Sequence, residues 1–501
     1  MMLLNHLPAL LVVVPLLLAP LVAVIPGASY RTAYFIAALT AIVTFVIACL
    51  IVHQVSVVGP LSYEMGNWPV PFGIGFLITP FASAMALIVA GGSAFAFVWG
   101  RESFLKEVPG DHQPLLLACW LLATAGLLGI VVTADAFNAF VFMEISSLAS
   151  YVLVAGGPKR TALTASFKYL VAGSLGATFY LIGVGYLYMM TGTLNFADLT
   201  DRLSDVSETS PVLIASGFIM LGLALKAAVF PMHAWMPAAY QFAPTPIAIF
   251  FAASSTKVAL FLLIKFDYLV LQPNLSDHAF LFSTILMPMA TLAFLVGSSV
   301  AIFSKDLKRM LGYSSVAQIG YILIASSLVT SAGLTAAIVH IFNHALIKSA
   351  LFMAVGCLFW RFGTSNIQDL AGAAKVMPIT MAGFVVAGLS LIGVPLTAGF
   401  ISKVTLIQAL LELGSLGFIL LSLVLISSLM AVIYIWRVVE VTYFGKPAES
   451  MRGEAKGEAP WPMLVTLWLL VIANIYFGIE PSLPLGLADA EVKLLLGGPQ
   501  E

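Results

Sequence analysis

The chain has 501 residues, of which 61% are apolar and 9% charged, and its mean hydropathy is +1.05. A soluble domain carries about 45–50% apolar and about 25% charged residues, so a soluble enzyme is excluded. Lys plus Arg is 22 against 23 for Asp plus Glu, which leaves no basic field to hold nucleic acid, and Cys49, Cys119 and Cys357 lie in separate apolar runs with no metal or disulfide spacing.

What remains is an all-α polytopic membrane protein. A span needs about 20 apolar residues to cross about 30 Å of hydrocarbon. Fourteen segments qualify, with approximate limits 8–27, 31–54, 75–99, 115–133, 136–156, 164–190, 212–232, 245–269, 280–303, 312–329, 333–359, 378–410, 415–437 and 461–479. Only His6 precedes the first as a candidate basic residue, so it reads as a true span rather than a cleaved leader.

The basic residues predict the orientation. One set of alternate loops holds 14 of them: Arg31, Arg101, Lys106, Lys159, Arg160, Lys305, Lys308, Arg309, Arg361, Lys375, Arg437, Lys446, Arg452 and Lys456. The opposite side holds only Arg202 and Lys493. The positive-inside rule then places both termini outside the cytoplasm of a cell membrane. The loop 191–211 is acidic through Asp198, Asp201, Asp205 and Glu208, and 438–460 alternates Lys/Arg with Glu as a solvated linker. The organisation expected is N-terminal spans over 1–114, a core over 115–445, and a linker, last span and tail over 446–501. No nucleotide-binding loop is present, so the energy for any transport must come from an ion gradient or from partner subunits.

Six lysines fall inside spans: Lys168, Lys226, Lys257, Lys265, Lys348 and Lys403. Each central charge costs roughly 2.5–3.5 kcal/mol, so the set costs on the order of 15–20 kcal/mol. Lys168 and Lys265 lie close enough to span ends that snorkelling and burial both stay open. Lys226, Lys257 and Lys403 lie too deep for easy snorkelling. Glu144 is the one deep carboxylate; it follows Asp135 by nine residues, about 14 Å along a helix, which puts it near mid-membrane. Beside a lysine it can stay charged, either as a static ion pair between helices or as a proton-relay pair. His340, His344 and Lys348 recur at i, i+4 and i+8, forming one polar stripe suited to passing protons. No acidic residue stands at ligand spacing on that stripe, so no metal is expected, and no cofactor.

Two spans are expected to break. One runs from Lys226 through Pro231, His233, Trp235 and Pro237, the other from Gly393 through Pro395 and Gly399 to Lys403. Proline removes an internal hydrogen bond and glycine loosens the turn. The freed carbonyls are tolerated at membrane depth only inside protein or water. Paired interruptions near buried charges point to two inverted five-helix repeats, spans 4–8 and 9–13, around a midplane site.

At these residues the sequence resembles the antiporter-like subunits shared by complex I, membrane-bound hydrogenases and Mrp multisubunit antiporters. Thr133 to Tyr151, with Asp135, Asn138 and Glu144, matches the family's glutamate helix. Lys226 to Pro246 matches its broken helix and loop, and Lys257 follows in place. Asp306 to Ser315 matches the inner-loop signature, His340, His344 and Lys348 the histidine helix, and Lys403 the terminal lysine. The match covers roughly residues 75–445. Length, span number and lysine set are most similar to the D-type subunits of Mrp antiporters. Thr79 departs from the pattern, since many relatives have an aspartate there.

The resemblance implies a proton path through the middle of the membrane. Glu144 and Lys226 would be the switching pair, Lys257, His340, His344 and Lys348 the relay, and Lys403 the exchange point. Pro231, His233, Pro237 and Pro395 would support the breaks. It also implies hydrophobic partner subunits and exchange of H+ for Na+, with K+ the alternative cation. Two other readings stand beside it: a proton-pumping subunit of a redox complex, whose redox centres lie in other chains, and a non-transporting membrane scaffold.

Overall fold

The computed structural model describes residues 5–24, 30–206, 209–275, 278–446 and 457–497. Glu208, Arg452 and Lys456, counted above among the loop charges, lie outside them. The chain is helical nearly throughout. Its helices are α1 (Leu7–Val24), α2 (Tyr30–Val58), α3 (Pro80–Glu107), α4 (Gln113–Val132), α5 (Ala136–Ala155), α6 (Thr161–Thr191), α7 (Phe196–Leu203), α8 (Ser210–Lys226), α9 (Trp235–Phe242) and α10 (Thr245–Ala253). There follow α11 (Ser255–Phe266), α12 (His278–Phe303), α13 (Leu307–Ser326), α14 (Ser331–Phe362), α15 (Pro378–Ile392), α16 (Ala398–Leu411), α17 (Ser415–Val439), α18 (Trp461–Ile479) and α19 (Ser482–Leu495). A hairpin of β1 (Leu61–Glu64) and β2 (Gly75–Ile78) precedes α3.

Among the described residues each of the fourteen expected segments is largely helical, and eleven helices or continuous helical runs are long and apolar enough to cross a membrane, twelve if the bent pair Gln368–Val376 and Pro378–Ile392 counts as one. The other segments fall short for visible reasons. Breaks divide 210–242 and 378–411, and α13 is polar, with Lys308, Arg309, Ser314, Ser315 and Gln318. The third span starts later than its hydropathy suggests. Residues 75–78 pair as a strand, and Thr79 caps α3 by accepting from the Ala82 N–H at 3.3 Å, with Pro80 in the first turn.

The repeats are marked by two matching corners. Asp135 caps α5 and pairs with Asn195; Asp306 caps α13 and pairs with Asn366, sixty residues on in both cases. The backbone bonds correspond: Ala136 to Leu194 and Phe196 to Ala134 in one, Leu307 to Ser365 and Ile367 to Lys305 in the other. The long helices between end alike, on Gly192 and Gly363 at φ 72° and 70°, the left-handed geometry that closes a helix with glycine. The sequences Gly192-Thr-Leu-Asn195-Phe-Ala-Asp198-Leu and Gly363-Thr-Ser-Asn366-Ile-Gln-Asp369-Leu repeat the corner itself.

α10, α11 and α14 are buried on nearly every side, so the core of the molecule lies between the repeats. The tail after the last span is not loose: α19 packs on α14 and α3. Its Glu491 accepts the Phe81 N–H at 3.0 Å, bringing a carboxylate to the start of α3 beside Thr79. Burial raises that carboxyl above the usual range.

Candidate functional site

Glu144 and Lys226 come together. Glu144 is on α5, and Lys226 is the last residue of α8, where the helix stops before the Pro231 break. Their charged atoms are 3.8 Å apart, with side chains 28% and 8% exposed. Lys226 Nζ also donates to Ser147 Oγ at 2.7 Å, one turn along α5 from Glu144. The break itself spans 227–234, with Ala228 at φ 56°.

From this pair polar groups lead inward. Tyr169 on α6 is buried beside Tyr151 of α5, their rings 4.8 Å apart. The Tyr169 ring stacks on Trp235 at 4.3 Å. Two residues beyond Ser255 stands Lys257, fully buried, donating to the Ala252 carbonyl. That carbonyl borders a third break, at Ser254, which divides the expected span 245–269 into α10 and α11. No proline or glycine marks it.

His340, His344 and Lys348 follow, all buried on α14. The two imidazoles stack, with centroids 6.1 Å apart and planes 6° from parallel. His340 is fixed by Ser402 Oγ at 2.9 Å and Gln318 Oε1 at 3.0 Å. Neither nitrogen of His344 has a hydrogen-bond partner among the described residues. Lys348 donates to the Leu311 carbonyl at 2.9 Å and to Ser314 Oγ on α13. Lys403 donates to the Ile392 carbonyl at 2.7 Å and to Ser428 Oγ at 2.9 Å, and it lies over the Tyr321 ring. Ile392 is the last residue of α15, so Lys403 occupies the carbonyl end of the second broken span.

Lys226, Lys257, His340, His344, Lys348 and Lys403 outline one buried polar tract, with the partly exposed Glu144 at its outer end. Of the supporting residues, Pro231 lies in the first break, where His233 packs on Phe230 and Tyr313. Pro237 is where α9 meets α13: a Cβ added at Gly312 would lie 2.9 Å from its Cα. Pro395 is exposed in the second break, between Gly393 at φ 90° and Leu396 at φ 70°.

Lys265 resolves the open choice. It does not snorkel; it is 6% exposed and donates to the Thr133 carbonyl at 2.9 Å. α11 is enclosed by other helices, so no lipid–water boundary is in reach. Lys168 is exposed on the flank of α6, as a snorkelling side chain requires. The residues that sequence reasoning missed are neutral: Ser147, Tyr169, Ser314, Gln318, Ser402 and Ser428. Ser147 lies three residues after Glu144 and Ser402 adjoins Lys403, a clustering of hydroxyls with charges that could have revealed them.

Known proteins resemble this chain over most of its length. The transmembrane family described as NADH:quinone oxidoreductase/Mrp antiporter matches residues 133–430. The chain is 38% identical to NADH-quinone oxidoreductase subunit N of Desulforudis audaxviator, covering 95% of this chain and 96% of that one. It is 31% identical to the putative antiporter subunit mnhD2 of Staphylococcus epidermidis, over 97% and 95%. A chain of the archaeal membrane-bound sulfane sulfur reductase superposes with a TM-score of 0.89 at 32% identity, covering 98% of each. A chain of the Mrp complex from Dietzia sp. DQ12-45-1b superposes at 0.88 with 24% identity, over 99% and 98%, which speaks to the fold alone.

Proposed function

The chain belongs to the NADH:quinone oxidoreductase/Mrp antiporter transmembrane family, and from that premise we propose that it carries protons along the tract from Glu144 to Lys403. It is an antiporter-like membrane subunit. It acts as a transporter part rather than as an enzyme, among other membrane subunits of a hetero-oligomeric complex. The carrying observation is the Glu144–Lys226 pair at the mouth of a run of lysines bound to carbonyls and hydroxyls instead of counter-charges.

A static pair needs no such continuation. Buried lysines cost free energy at every station, and a scaffold gains nothing from them. A relay does: when Glu144 moves from Lys226, the next lysine becomes the better place for a positive charge, and the shift passes on. Coupling this movement to export of Na+ by the assembled complex is the first reading of its purpose. It rests on the 31% identity to an antiporter subunit across nearly the whole chain.

The second reading is a subunit of a redox complex, with the same tract driven by electron transfer in other chains. The 38% identity to a quinone oxidoreductase subunit and the 0.89 superposition on a reductase subunit favour it. Purification of the tagged chain in mild detergent separates the two. Small hydrophobic subunits without redox proteins, with Na+-driven proton movement in inverted vesicles, support antiport. Flavin or iron–sulfur subunits in stoichiometric amount support the redox pump. Full transport by Glu144→Gln and Lys226→Ala complexes would refute both.

A further inference from the structure

We propose that Lys308, with Thr245 and Glu107, forms the point where the tract exchanges protons with water on the basic face of the protein. This rests on the proton-carrying reading above, and places its inner opening. The positive-inside bias assigns that face to the cytoplasm.

Three observations carry it. First, an internal space of about 30 Å³ lies there, lined by Lys159, Gln241, Asp306, Lys308, Phe359 and Ser365 among others. A water needs roughly 10–15 Å³ of such space, so there is room for one, and the lining is polar enough to hold it. Second, Lys308 forms its inner wall: it is 3% exposed, yet it reaches the same space as the exposed Lys159. Its Nζ donates to Thr245 Oγ1 at 2.7 Å and lies 4.4 Å from the Phe359 ring centroid. Thr245 Oγ1 donates in turn to Glu107 Oε2 at 3.0 Å, and the same oxygen accepts the Thr245 N–H at 2.8 Å. Ser103 donates to the other oxygen. Lysine, hydroxyl and carboxylate thus repeat the chemistry of Lys226, Ser147 and Glu144 at the end of the tract.

Third, α13 connects this group to the relay. Lys308 is in its first turn; Leu311 and Ser314, three and six residues on, hold Lys348. Six residues are about 9 Å of helix, so both groups sit on one short stretch of the same element. The transfer balances without a further reactant. Lys308 as ammonium gives a proton to Thr245 Oγ1 while that hydroxyl gives its own to Glu107, leaving an amine and a carboxylic acid. The reverse hop restores the ammonium. An amine at Lys308 takes a proton from a hydronium ion reaching the space from the outer water, leaving neutral water behind, and the ammonium so formed releases one toward Ser314 and Lys348. The other charges facing Lys308 are Lys159 across the space and Asp306 at the start of its own helix.

The test uses the whole complex in inverted vesicles, whose outer medium bathes the cytoplasmic face. Lys308→Ala and Lys308→Arg should each lower proton movement at least about tenfold at equal complex content, since arginine holds its proton. Glu107→Gln should shift the dependence of the rate on outer pH, a readout that simple loss of packing leaves in place. Gln241→Cys should be labelled by a membrane-impermeant thiol reagent in inverted vesicles and not in right-side-out ones. If both Lys308 variants move protons at the wild-type rate with an unshifted pH profile while Glu144→Gln is inactive, the inference is overturned and the tract stands. If Glu144→Gln is also fully active, the tract itself falls. Should Lys308→Ala fail to assemble, Lys308→Arg and the labelling of Gln241→Cys decide, and an unlabelled cysteine in assembled complex overturns the proposal.

Discussion

The Glu144–Lys226 pair can be tested as a coupled unit through the variants Glu144→Gln and Lys226→Met, singly and together. At 3.8 Å two unit charges interact by about 4 kcal/mol at an effective dielectric of 20 and by about 1 kcal/mol in water. Glu144 is 28% exposed and Lys226 8%, so the pair lies between these limits, at roughly 2 kcal/mol. That corresponds to about 30-fold in rate. Each single variant should therefore reduce proton movement by at least that factor. The double variant should be no worse than the poorer single one, because residues that act as a unit lose their contribution once. The assay is proton movement in inverted vesicles with a pH-sensitive dye, normalised to the amount of complex. Two independent losses that multiply in the double variant would refute coupling, and unchanged transport would refute the relay.

Three further tests follow from the packing. His340→Ala strips Ser402 and Gln318 of a partner, at about 1–3 kcal/mol for each buried group left unpaired; both thermal stability and proton movement should fall, and wild-type transport would remove His340 from the path. Gly399→Ala puts a Cβ 1.8 Å from the Ser390 carbonyl, a backbone atom that cannot swing aside, and should cost about 1–3 kcal/mol or more; Gly185→Ala meets nothing within 4 Å and should be neutral or gain about 0.5–1 kcal/mol. Complex content after heating ranks them, and equal behaviour would contradict the close contact. Lys168→Ala should stay within about 0.5 kcal/mol of the wild type, whereas Lys265→Ala leaves the Thr133 carbonyl unpaired at about 1–3 kcal/mol; equal melting of the two complexes would show that Lys265 is not held as described.

Hydropathy located every long helix because lipid demands it, and proline with glycine located two of the breaks because they remove hydrogen bonds. The break at Ser254 has neither signal. Serine gives no strong signal, although Ser254 Oγ donates back to the Phe250 carbonyl at 2.7 Å, a bond that bends helices, so the expected span 245–269 read as continuous. The fate of Lys265 was illegible for a related reason. Distance from a span end predicts snorkelling only on a lipid-facing helix, and an apolar helix that carries Lys257 and Lys265 does not itself say whether lipid or other helices surround it. The corners at Asn195 and Asn366 were legible, since Gly-Thr-x-Asn recurs at matched spacing, but the segments are too short to stand out without the pairing that gives them meaning. The charges of the tract could be named from sequence because each is expensive. The serines, Tyr169 and Gln318 that link them could not, because a hydroxyl in a membrane helix is cheap and common.

The placement of the lysines explains why the helices break where they do. Lys226 ends α8, Lys257 binds a carbonyl at the Ser254 break, Lys265 binds the carbonyl that follows α4, and Lys403 binds the last carbonyl of α15. A helix carboxyl end carries about half a negative charge, worth about 0.3–1 kcal/mol to a cation and up to ~2 kcal/mol where partly buried. This offsets part of the cost of each lysine without neutralising it. A carboxylate beside each would hold the charge too firmly: a paired buried charge loses several kcal/mol when its partner departs, which pins the proton. Carbonyl ends hold it loosely, so a neighbour a few ångströms away can decide where the charge rests. Intact helices offer such ends only at the membrane surface. Breaking a helix at mid-span brings one into the interior, beside the buried lysines.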